Sequence, residues 1–491
     1  MTSVIEEGNS KSSLNSHAVA DSPPRRLSHA VFSPINHSEM LGWERLANRY
    51  NENAIPLYLS YPVESYWRQA IDPVVYANSL RQNDISFLYV HFPYCKRICH
   101  YCLCYHEGYK DARDIDVYLR YLVKEMDIKL SQAGIAGKLS IRHMHWGGGT
   151  PTLLTPQQIE KVHSDITKRV EFVRDGENEF SIEAYPDETI ITRDKLLLLQ
   201  KLGFNTISFG VQDFDERVQS VINREHKPDA VHSLMALARE LGFRVHVDLC
   251  YGLPFQGLNE LQKTLLEIVK SEPLRISVNP YAHNPFVFPG QKIIPLSSVP
   301  NSFMKIMQAI LADDILTECG YVRIGLDQYI KPEDPYFESL RKHGIRSLMG
   351  YSTNEKVSFL GCGATAISYF DNSFYMNSAR LKEYYQQIDH NSVPLDGKRC
   401  YRYNDDDRIR NQVIQKFILG HFEIDKKQFA RECNADFDCY FKEEIAKLAR
   451  HEKDGLVDLS DPDFIRITKK GRFFGRHIAH VFDTFYAQER S

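Results

Sequence analysis

YVHFPYCKRICHYCLCYHEGYK, residues 89–110, places four cysteines within ten positions directly after a short hydrophobic strand. Cys95, Cys99 and Cys102 have the spacing C-x3-C-x2-C, and Cys104 follows Cys102 after one residue. Zinc is an open alternative because three histidines lie nearby, although structural zinc sites normally pair two cysteine knuckles. A disulfide framework is disfavoured because the other cysteines are scattered along the chain. Three thiolates on one tight loop can bind three irons of a [4Fe–4S] cluster and leave the fourth iron open, which favours catalysis over electron storage.

Strand-like and helix-like segments alternate around this stretch from about residue 85 onward. The predicted strands are FLYVHF from 87, IRHMHW from 141, FSIEAY from 180, TISFGV from 206, RVHVDLCYG from 244 and RISVNPYA from 275. Amphipathic stretches between them, such as DVYLRYLVKEMDIKLSQAG, carry apolar residues three and four positions apart. Six such units predict a parallel sheet or an incomplete barrel, in which chemistry gathers at the C-terminal ends of the strands.

Composition divides the chain into four predicted parts. Residues 1–45, rich in Ser, Asn and Pro, are predicted to be a disordered tail, and residues 46–80 an N-terminal arm. Residues 81–378 hold the strand–helix units and their extension. Residues 379–491, with segments such as DDRIRNQVIQKFILGHF, are predicted to form a smaller, mainly α-helical domain.

Charge and hydropathy restrict the class of protein. Charged residues make up 25% of the 491 residues and the formal net charge is -4, so nothing indicates general binding to nucleic acid or to an anionic membrane. No apolar run of about 18 residues is present, so no membrane span is expected. The N-terminus lacks the apolar region of a signal peptide. These features predict a cytoplasmic protein in a reducing environment.

Glycines and polar residues lie at the other predicted strand ends. Gly147–Gly149 in HWGGGTPT could form an ordinary tight turn, but next to a cluster loop a close backbone approach to a ligand is favoured. Glu183 and Asp248 are acids within apolar strand runs, where they are either paired core acids or ligands of ribose hydroxyls. Gln212 supplies an amide, and Arg224 supplies a guanidinium suited to a carboxylate, with a surface salt bridge as the alternative.

The cysteine spacing at the end of a first barrel strand resembles the signature of radical S-adenosylmethionine (SAM) enzymes. The resemblance implies an α/β fold with an incomplete (β/α)6 TIM-like barrel, and it implies that Cys95, Cys99 and Cys102 bind the cluster. It also implies that the amino and carboxylate groups of SAM chelate the open iron. Reductive cleavage of the sulfonium then yields a 5′-deoxyadenosyl radical, which abstracts a substrate hydrogen.

A longer series of segments, from residue 57 to the C-terminus, resembles the oxygen-independent coproporphyrinogen III oxidase family. The matching segments are YVHFPYCKRICHYCLC, HWGGGTPT, SIEAYP, FGVQDF, INREH, DLCYGLP, YAHNP, GYST, GCGATAIS and KDGLVD. This family converts two propionates of a tetrapyrrole to vinyl groups and binds two SAM molecules. The resemblance implies a first SAM site at Tyr89, Tyr101, Gly148, Glu183 and Ile367, and a second at Gly149, Thr150, Gln212, Arg224, Asp248 and Ala282. Tyr89 and Glu183 are the candidate catalytic residues, and Cys104 matches a further family cysteine that is not expected to bind the cluster.

Several positions depart from the family pattern on its substrate side. The replacements are Leu57 for an Arg, Leu103 for a Gly, Tyr185 for an acid, Gln328 for a His, Leu348 for an aromatic residue and Met349 for an amide. A group of basic residues could still bind a tetracarboxylate substrate, or could belong to a solvated surface. These residues are Arg323, Lys331, Arg341, Lys342 and Arg346. The cluster and first SAM positions match the family.

Three functions are consistent with these observations. The first is the oxygen-independent oxidative decarboxylation of coproporphyrinogen III to protoporphyrinogen IX in haem biosynthesis, favoured by the near full-length resemblance. The second is methyl transfer, cyclopropanation or another decarboxylation on a different substrate, favoured by the departures. The third is a haem-binding or cluster-carrier protein, disfavoured by the intact cofactor positions. The expected partners are an anionic tetrapyrrole substrate and an electron donor such as flavodoxin or ferredoxin, and a monomer is expected.

Overall fold

The N-terminal helix packs against residues close to the C-terminus. The computed structural model describes residues 37–51, 55–108, 111–174, 176, 178–352 and 358–488. Residues 1–36 of the predicted tail therefore lie outside the described residues. Helix α1, His37–Arg49, begins within the last part of that predicted tail. Its Trp43 is buried and stacks on Phe474 at a ring-centroid distance of 6.2 Å, so burial of aromatic surface accounts for the helix there.

Six parallel strands lie side by side in the order in which they occur along the chain. They are β1 Phe87–Phe92, β2 His143–Gly148, β3 Phe180–Ala184, β4 Thr206–Gln212, β5 Arg244–Tyr251 and β6 Arg275–Pro280. All six predicted strands are confirmed, although β2 begins at His143 rather than at Ile141. The preceding Leu139–Ile141 pairs instead with Val170–Phe172 in a small separate sheet.

Helices on the outside of the sheet precede and connect these strands. They are α2 Pro73–Gln82, α3 Ala112–Gln132, α4 Pro156–Thr167, α5 Arg193–Lys201, α6 Glu216–Ile222, α7 Pro228–Glu240, α8 Leu258–Val269 and α9 Ser302–Glu318. The start of α4 illustrates the local signals. The Thr155 side chain accepts from the backbone N–H of Gln158, and the Gln158 side chain accepts from the backbone N–H of Thr155, which together form a capping box.

Further strands extend the sheet at both sides of the six. They are β7 Val322–Ile324, β8 Gln328–Ile330, β9 Phe359–Cys362, β10 Ile367–Phe370, β11 Ser373–Met376 and β12 Tyr401–Arg402. Strand β8 is antiparallel to β6 and β7 is antiparallel to β8, whereas β9 is parallel to β1 and leads into antiparallel β10, β11 and β12. The predicted α/β class is confirmed, in an open sheet. The seventh parallel strand, β9, was missed because all four of its residues are buried and show no alternation.

The C-terminal part is mainly helical, as predicted, and it also contains a small three-stranded sheet. Helix α10, Phe337–His343, precedes this part. Its helices are α11 Leu381–Asp389, α12 Asp405–Asn411, α13 Lys426–Cys433, α14 Phe437–Tyr440, α15 Lys442–Lys453, α16 Gly475–His480 and α17 Phe485–Gln488; its strands are β13 Glu423–Asp425, β14 Val457–Asp458 and β15 Phe464–Ile467. Helix α12 continues into a π-helical segment, Gln412–Ile418. Since β12 belongs to the main sheet, contacts run across the predicted boundary at residue 379.

The alternation along β1 decides which side chains face the interior of the curved sheet. Leu88 and Val90 are fully buried against the outer helices, so Tyr89 and His91 project from the opposite face. In the part of the chain that the structure describes, no helix has both the length and the apolar character needed to cross a membrane.

Candidate active site

The cysteine loop leaves β1 at Phe92 and is held against the end of β2. The Gly149 N–H donates to the Phe92 carbonyl (2.7 Å), and the Thr150 N–H donates to the Tyr94 carbonyl (2.9 Å). A Cβ on Gly149 would lie 2.7 Å from the Tyr94 oxygen, so this approach requires glycine. The loop therefore starts at the C-terminal edge of the parallel strands.

The far side of the loop is anchored on α6. The His100 N–H donates to the Ile222 carbonyl (3.0 Å), and His100 Nδ1 donates to the Val221 carbonyl (3.0 Å). Asn223 ends α6 in a left-handed conformation with φ 55°. Its side-chain amide donates to the Ile98 carbonyl (2.7 Å), so the helix end and the loop are joined directly.

The predicted cluster ligands have polar neighbours on both sides of the loop. Thr150 Oγ1 lies 3.6 Å from Cys95 Sγ, and Arg224 Nη1 lies 3.3 Å from Cys99 Sγ. Burial raises the pKa of the Cys95 thiol to about 12, so metal binding there releases a proton. All ten cysteines fall within the described ranges and are free thiols. No three His, Cys, Asp or Glu side chains of the described residues converge as around a single ion. In a [4Fe–4S] cluster each thiolate binds a different iron, and one loop supplies the three thiols of Cys95, Cys99 and Cys102.

His91 links Tyr89 to the end of the cysteine loop, a role that the sequence analysis did not assign. His91 Nε2 lies 3.2 Å from the Tyr105 carbonyl, which can only accept, so Nε2 carries the proton. Nδ1 then accepts from the Tyr89 hydroxyl at 2.9 Å. Burial lowers the pKa of His91 to about 4, so the ring is neutral at pH 7. Tyr89 is thereby held in one orientation beside the loop.

Glu183 is held beside Gly148 by two hydrogen bonds. One carboxylate oxygen accepts from the Gly148 N–H (3.1 Å), and the other accepts from His145 Nε2 (3.0 Å). His145 Nδ1 lies 2.7 Å from Ser181 Oγ, and its ring stacks on Tyr89 at a centroid distance of 5.9 Å. The structure thus brings Tyr89, Gly148 and Glu183 together. His145, which the sequence analysis passed over, lies between them at an alternating position of β2 that could have indicated an inward-facing side chain.

Arg224 is partly buried at the site, where it contacts Gly210 and Cys99 rather than an acid on the surface. Its Nε donates to the Gly210 carbonyl (2.8 Å), and its guanidinium lies over the Tyr185 ring at 4.7 Å. The Tyr185 hydroxyl donates to the Glu225 carbonyl (2.7 Å), which fixes the ring. The tyrosine that replaces a family acid is therefore an aromatic support for a cation next to Cys99.

Three other predicted SAM residues lie at the end of β4, within β5 and just after β6. Gln212 ends β4 with φ 72°, and Asp248 accepts from the Ser208 hydroxyl (2.8 Å). Burial raises the pKa of Asp248. The Ala282 carbonyl, after β6, accepts from the Gln291 side-chain amide (3.0 Å). Like Arg224, these groups lie towards the C-terminal edge of the parallel strands.

Tyr101 and Ile367 are held by separate apolar clusters on either side of the group around Glu183. Tyr101 packs on buried residues that include Ile222. Ile367 packs, together with Leu348, on a cluster that includes Trp67. The residues predicted for the first SAM site therefore come from the loop, the strand ends and the added antiparallel strands.

A cleft of about 440 Å³ opens beside the cysteine loop. Its lining includes Lys96, Arg97, Thr150, Tyr185, Asp187, Glu225 and His226. Lys96 pairs with Asp187 (3.0 Å) and Arg97 pairs with Glu225 (2.9 Å), so these charges are balanced. A cleft of this size admits a small organic ligand next to the loop.

The departures from the family pattern fall in different places. Leu103 is exposed on the cysteine loop, Leu348 packs beside Ile367, and Gln328 pairs in register with Ser277 of β6. Leu57 lines a separate cavity, which also contacts β6 and α9. The departures therefore do not all surround the cysteine loop.

Comparisons with known proteins agree with this geometry. A family model described as the Radical SAM superfamily matches residues 89–268. The oxygen-independent coproporphyrinogen III oxidase of Synechocystis sp. is 34% identical over 91% of this chain and 95% of its own length. The protein of that name from Escherichia coli is 35% identical over 92% of this chain and 97% of its own length. The solved structure of coproporphyrinogen III oxidase (HemN) from Escherichia coli, described as a radical SAM enzyme, has a TM-score of 0.79 at 33% identity and covers 87% of this chain and 97% of that chain.

Proposed function

We propose that this chain converts coproporphyrinogen III to protoporphyrinogen IX without oxygen. The reason is that the chain belongs to the oxygen-independent coproporphyrinogen III oxidase family of the radical SAM superfamily. Each of two propionates would lose one hydrogen atom to the radical derived from SAM, release carbon dioxide and pass one electron to an electron acceptor, and so become a vinyl group. The observation that carries the proposal is the three-cysteine loop, which His91 joins to Tyr89 beside Gly148 and Glu183.

Membership of the family implies a [4Fe–4S] cluster and SAM, and the residues present fit both groups. When bound, they supply a carbon-centred radical that removes a hydrogen atom from the substrate. The three cysteines of the loop would hold the cluster. Glu183 offers carboxylate oxygens to polar hydrogens of SAM, and His145 keeps that carboxylate oriented. Gly148 leaves the backbone open to a ligand at the same point.

A second SAM molecule is part of the proposal. It is supported by three polar groups: Gln212 at the end of β4, Arg224 after α6 and Asp248 within β5. The Arg224 guanidinium suits a carboxylate, which would then compete with its contacts to Gly210 and Cys99.

The proposal also includes a small electron-donor protein, such as flavodoxin or ferredoxin, and a monomeric chain in a reducing cytoplasm. The support for the compartment is that all ten cysteines are free thiols, including buried ones outside the loop, such as Cys362 and Cys400.

A radical enzyme with a different substrate is the second candidate. Tyr185 favours it, because an aromatic ring on Arg224 replaces the acid expected from the family and changes the polarity beside the cysteine loop. Leu57 favours it as well, because an arginine suited to an anionic substrate is absent at that position.

The first test is an anaerobic assay of the reconstituted full-length protein with dithionite, SAM and coproporphyrinogen III, with products read by mass spectrometry. We expect stepwise loss of two carboxyl groups as carbon dioxide. SAM cleavage to 5′-deoxyadenosine without any decarboxylation would reject coproporphyrinogen III as the substrate and favour the second candidate.

Cysteine variants control this assay. Cys99→Ala is expected to abolish both the brown cluster absorbance and SAM cleavage. Cys439→Ala, which removes an exposed thiol of the C-terminal part, is expected to retain both. A Cys99→Ala protein that keeps the cluster and the activity would contradict the cluster assignment.

A further inference from the structure

A small cavity lies on the outer face of β6, away from the candidate active site. Val278 and Pro280 of β6 line one side, and Ala309 and Ala312 of α9 line the other. The neighbouring Ser277 is hydrogen-bonded to Asp248 on the inner face, and alternation along the strand places Val278 on the opposite face. The cavity is therefore separate from the strand-end site.

Four arginines surround this cavity: Arg323, Arg346, Arg472 and Arg476. The single acid in the lining is Asp327. Arg346 and Arg476 are buried, each with less than a tenth of its surface exposed, whereas Arg323 is partly buried and Arg472 is exposed. Of the predicted basic set, the structure brings Arg323 and Arg346 together here, whereas Arg341 and Lys342 pair with Glu338 on the surface.

Two of the four charges are already compensated by acids. Arg346 pairs with Asp327 (2.7 Å), and Arg323 pairs with Asp313 (3.4 Å) while donating to the Leu326 carbonyl (2.7 Å). These pairs fix the two guanidinium groups in the cavity wall. Each guanidinium has five N–H donors, so further N–H groups remain to donate hydrogen bonds to a ligand.

Arg472 is different, because no described residue forms a hydrogen bond or ion pair with its guanidinium. It lies over the Phe422 ring at 5.3 Å. Partial loss of solvation lowers the pKa of Arg472, and repulsion from the neighbouring Arg323 lowers it further. A small anion between the two cations would offset their repulsion and accept hydrogen bonds from several guanidinium groups at once.

We propose that this cavity is a binding site for a carboxylate or a similarly small oxyanion. Its volume of about 40 Å³ accommodates such a group and excludes a whole macrocycle. Leu57 lines the same cavity, at the position where the family has another arginine. One source of the anion, which rests on the proposed function, is a propionate side chain of the tetrapyrrole; the other is a free anion such as phosphate.

Two probes distinguish these sources with the full-length protein. Coproporphyrin III, the stable oxidised form with the same four carboxylates, is titrated by fluorescence, and inorganic phosphate is tested by its effect on the melting temperature. Arg472→Gln is compared with Arg341→Gln, which removes an exposed arginine of α10. We expect Arg472→Gln to weaken coproporphyrin III binding about tenfold and to abolish the phosphate effect, and Arg341→Gln to change neither.

Each outcome is decisive. If Arg472→Gln loses the stabilisation by phosphate but binds coproporphyrin III normally, the site is confirmed with a free anion as its ligand. If Arg472→Gln responds to both probes as the wild type does, the proposal is wrong and the arginines are structural. Failure of the decarboxylation assay would not affect the phosphate measurement, so the two proposals fail separately.

Discussion

At the scale of single residues, Gly148 is the position where the candidate site tolerates least change. Its φ is +104°, and a Cβ would fall on the ring of His91. That ring cannot move away, because Tyr89 and the Tyr105 carbonyl hold both of its nitrogens. We expect Gly148→Ala to weaken SAM binding at least tenfold and to lower the melting temperature, measured by calorimetric titration and thermal unfolding of the reconstituted protein.

Gly137→Ala is the matched control, because nothing lies within 4 Å of a Cβ at that position and its φ is not positive. We expect it to bind SAM as the wild type does. Wild-type affinity and melting temperature in Gly148→Ala would show that Gly148 does not belong to the cofactor site.

Single residues also show where prediction from sequence stopped. The spacing of Cys95, Cys99 and Cys102 identifies the loop, since nothing else in the chain repeats it. The role of His145 depends on which residues stand opposite it on β3, and only the register between strands supplies that information. The stacking of Tyr185 on Arg224 likewise joins residues from two different strand–helix units. The pattern of residues within one segment does not show which residues of another segment will contact it.

At the scale of elements, the C-terminal end of α6 supports the cysteine loop. Asn223 both ends the helix in the left-handed region and donates to the Ile98 carbonyl (2.7 Å). Asn223→Gly keeps the backbone conformation and removes the side-chain bond. Since such a bond contributes about 1 kcal/mol, we expect the variant to lose its cluster absorbance several times faster when challenged with an iron chelator.

Asn434→Gly provides the control for Asn223→Gly, because Asn434 ends α13 in nearly the same conformation (φ 51°). We expect its cluster to decay at the wild-type rate. Equal decay rates for both variants would mean that the contact between α6 and the loop does not stabilise the cluster.

Elements differ in how far their sequences specify them. Strands β1 to β6 were predicted because apolar runs of six or more residues are followed by amphipathic helices. Strand β9 is not predictable in this way, because FLGC is short, fully buried and without a period. It is defined by its pairing with β1, whose partner residues lie 272 positions earlier in the chain. The match of GCGATAIS to the family pointed to this region without indicating a strand.

At the scale of the whole molecule, a buried ion pair fastens helix α3 to β9, β11 and α11. Glu125 and Lys129 are both fully buried and lie 2.6 Å apart. Glu125 also accepts from the Gly363 N–H (2.7 Å) and the Asn377 side chain (2.6 Å), while Lys129 donates to the Gly361 carbonyl (2.7 Å). Burial alone would lower the pKa of Lys129, but Glu125 together with the neighbouring Tyr76 and Cys362 raises it, so Lys129 is charged at pH 7.

Removing one charge of this pair is expected to destabilise the whole fold. Glu125→Gln leaves the Lys129 ammonium buried without its counter-ion, so the free energy of unfolding should fall by about 3–5 kcal/mol in a denaturant titration. Lys124→Gln is the control, because it breaks an exposed pair with Asp389 that joins the same helices, α3 and α11. That variant should unfold at the wild-type midpoint. If Glu125→Gln also unfolds at the wild-type denaturant midpoint, the buried charges do not stabilise the attachment of the C-terminal strands to the parallel sheet. That attachment then depends on apolar packing alone.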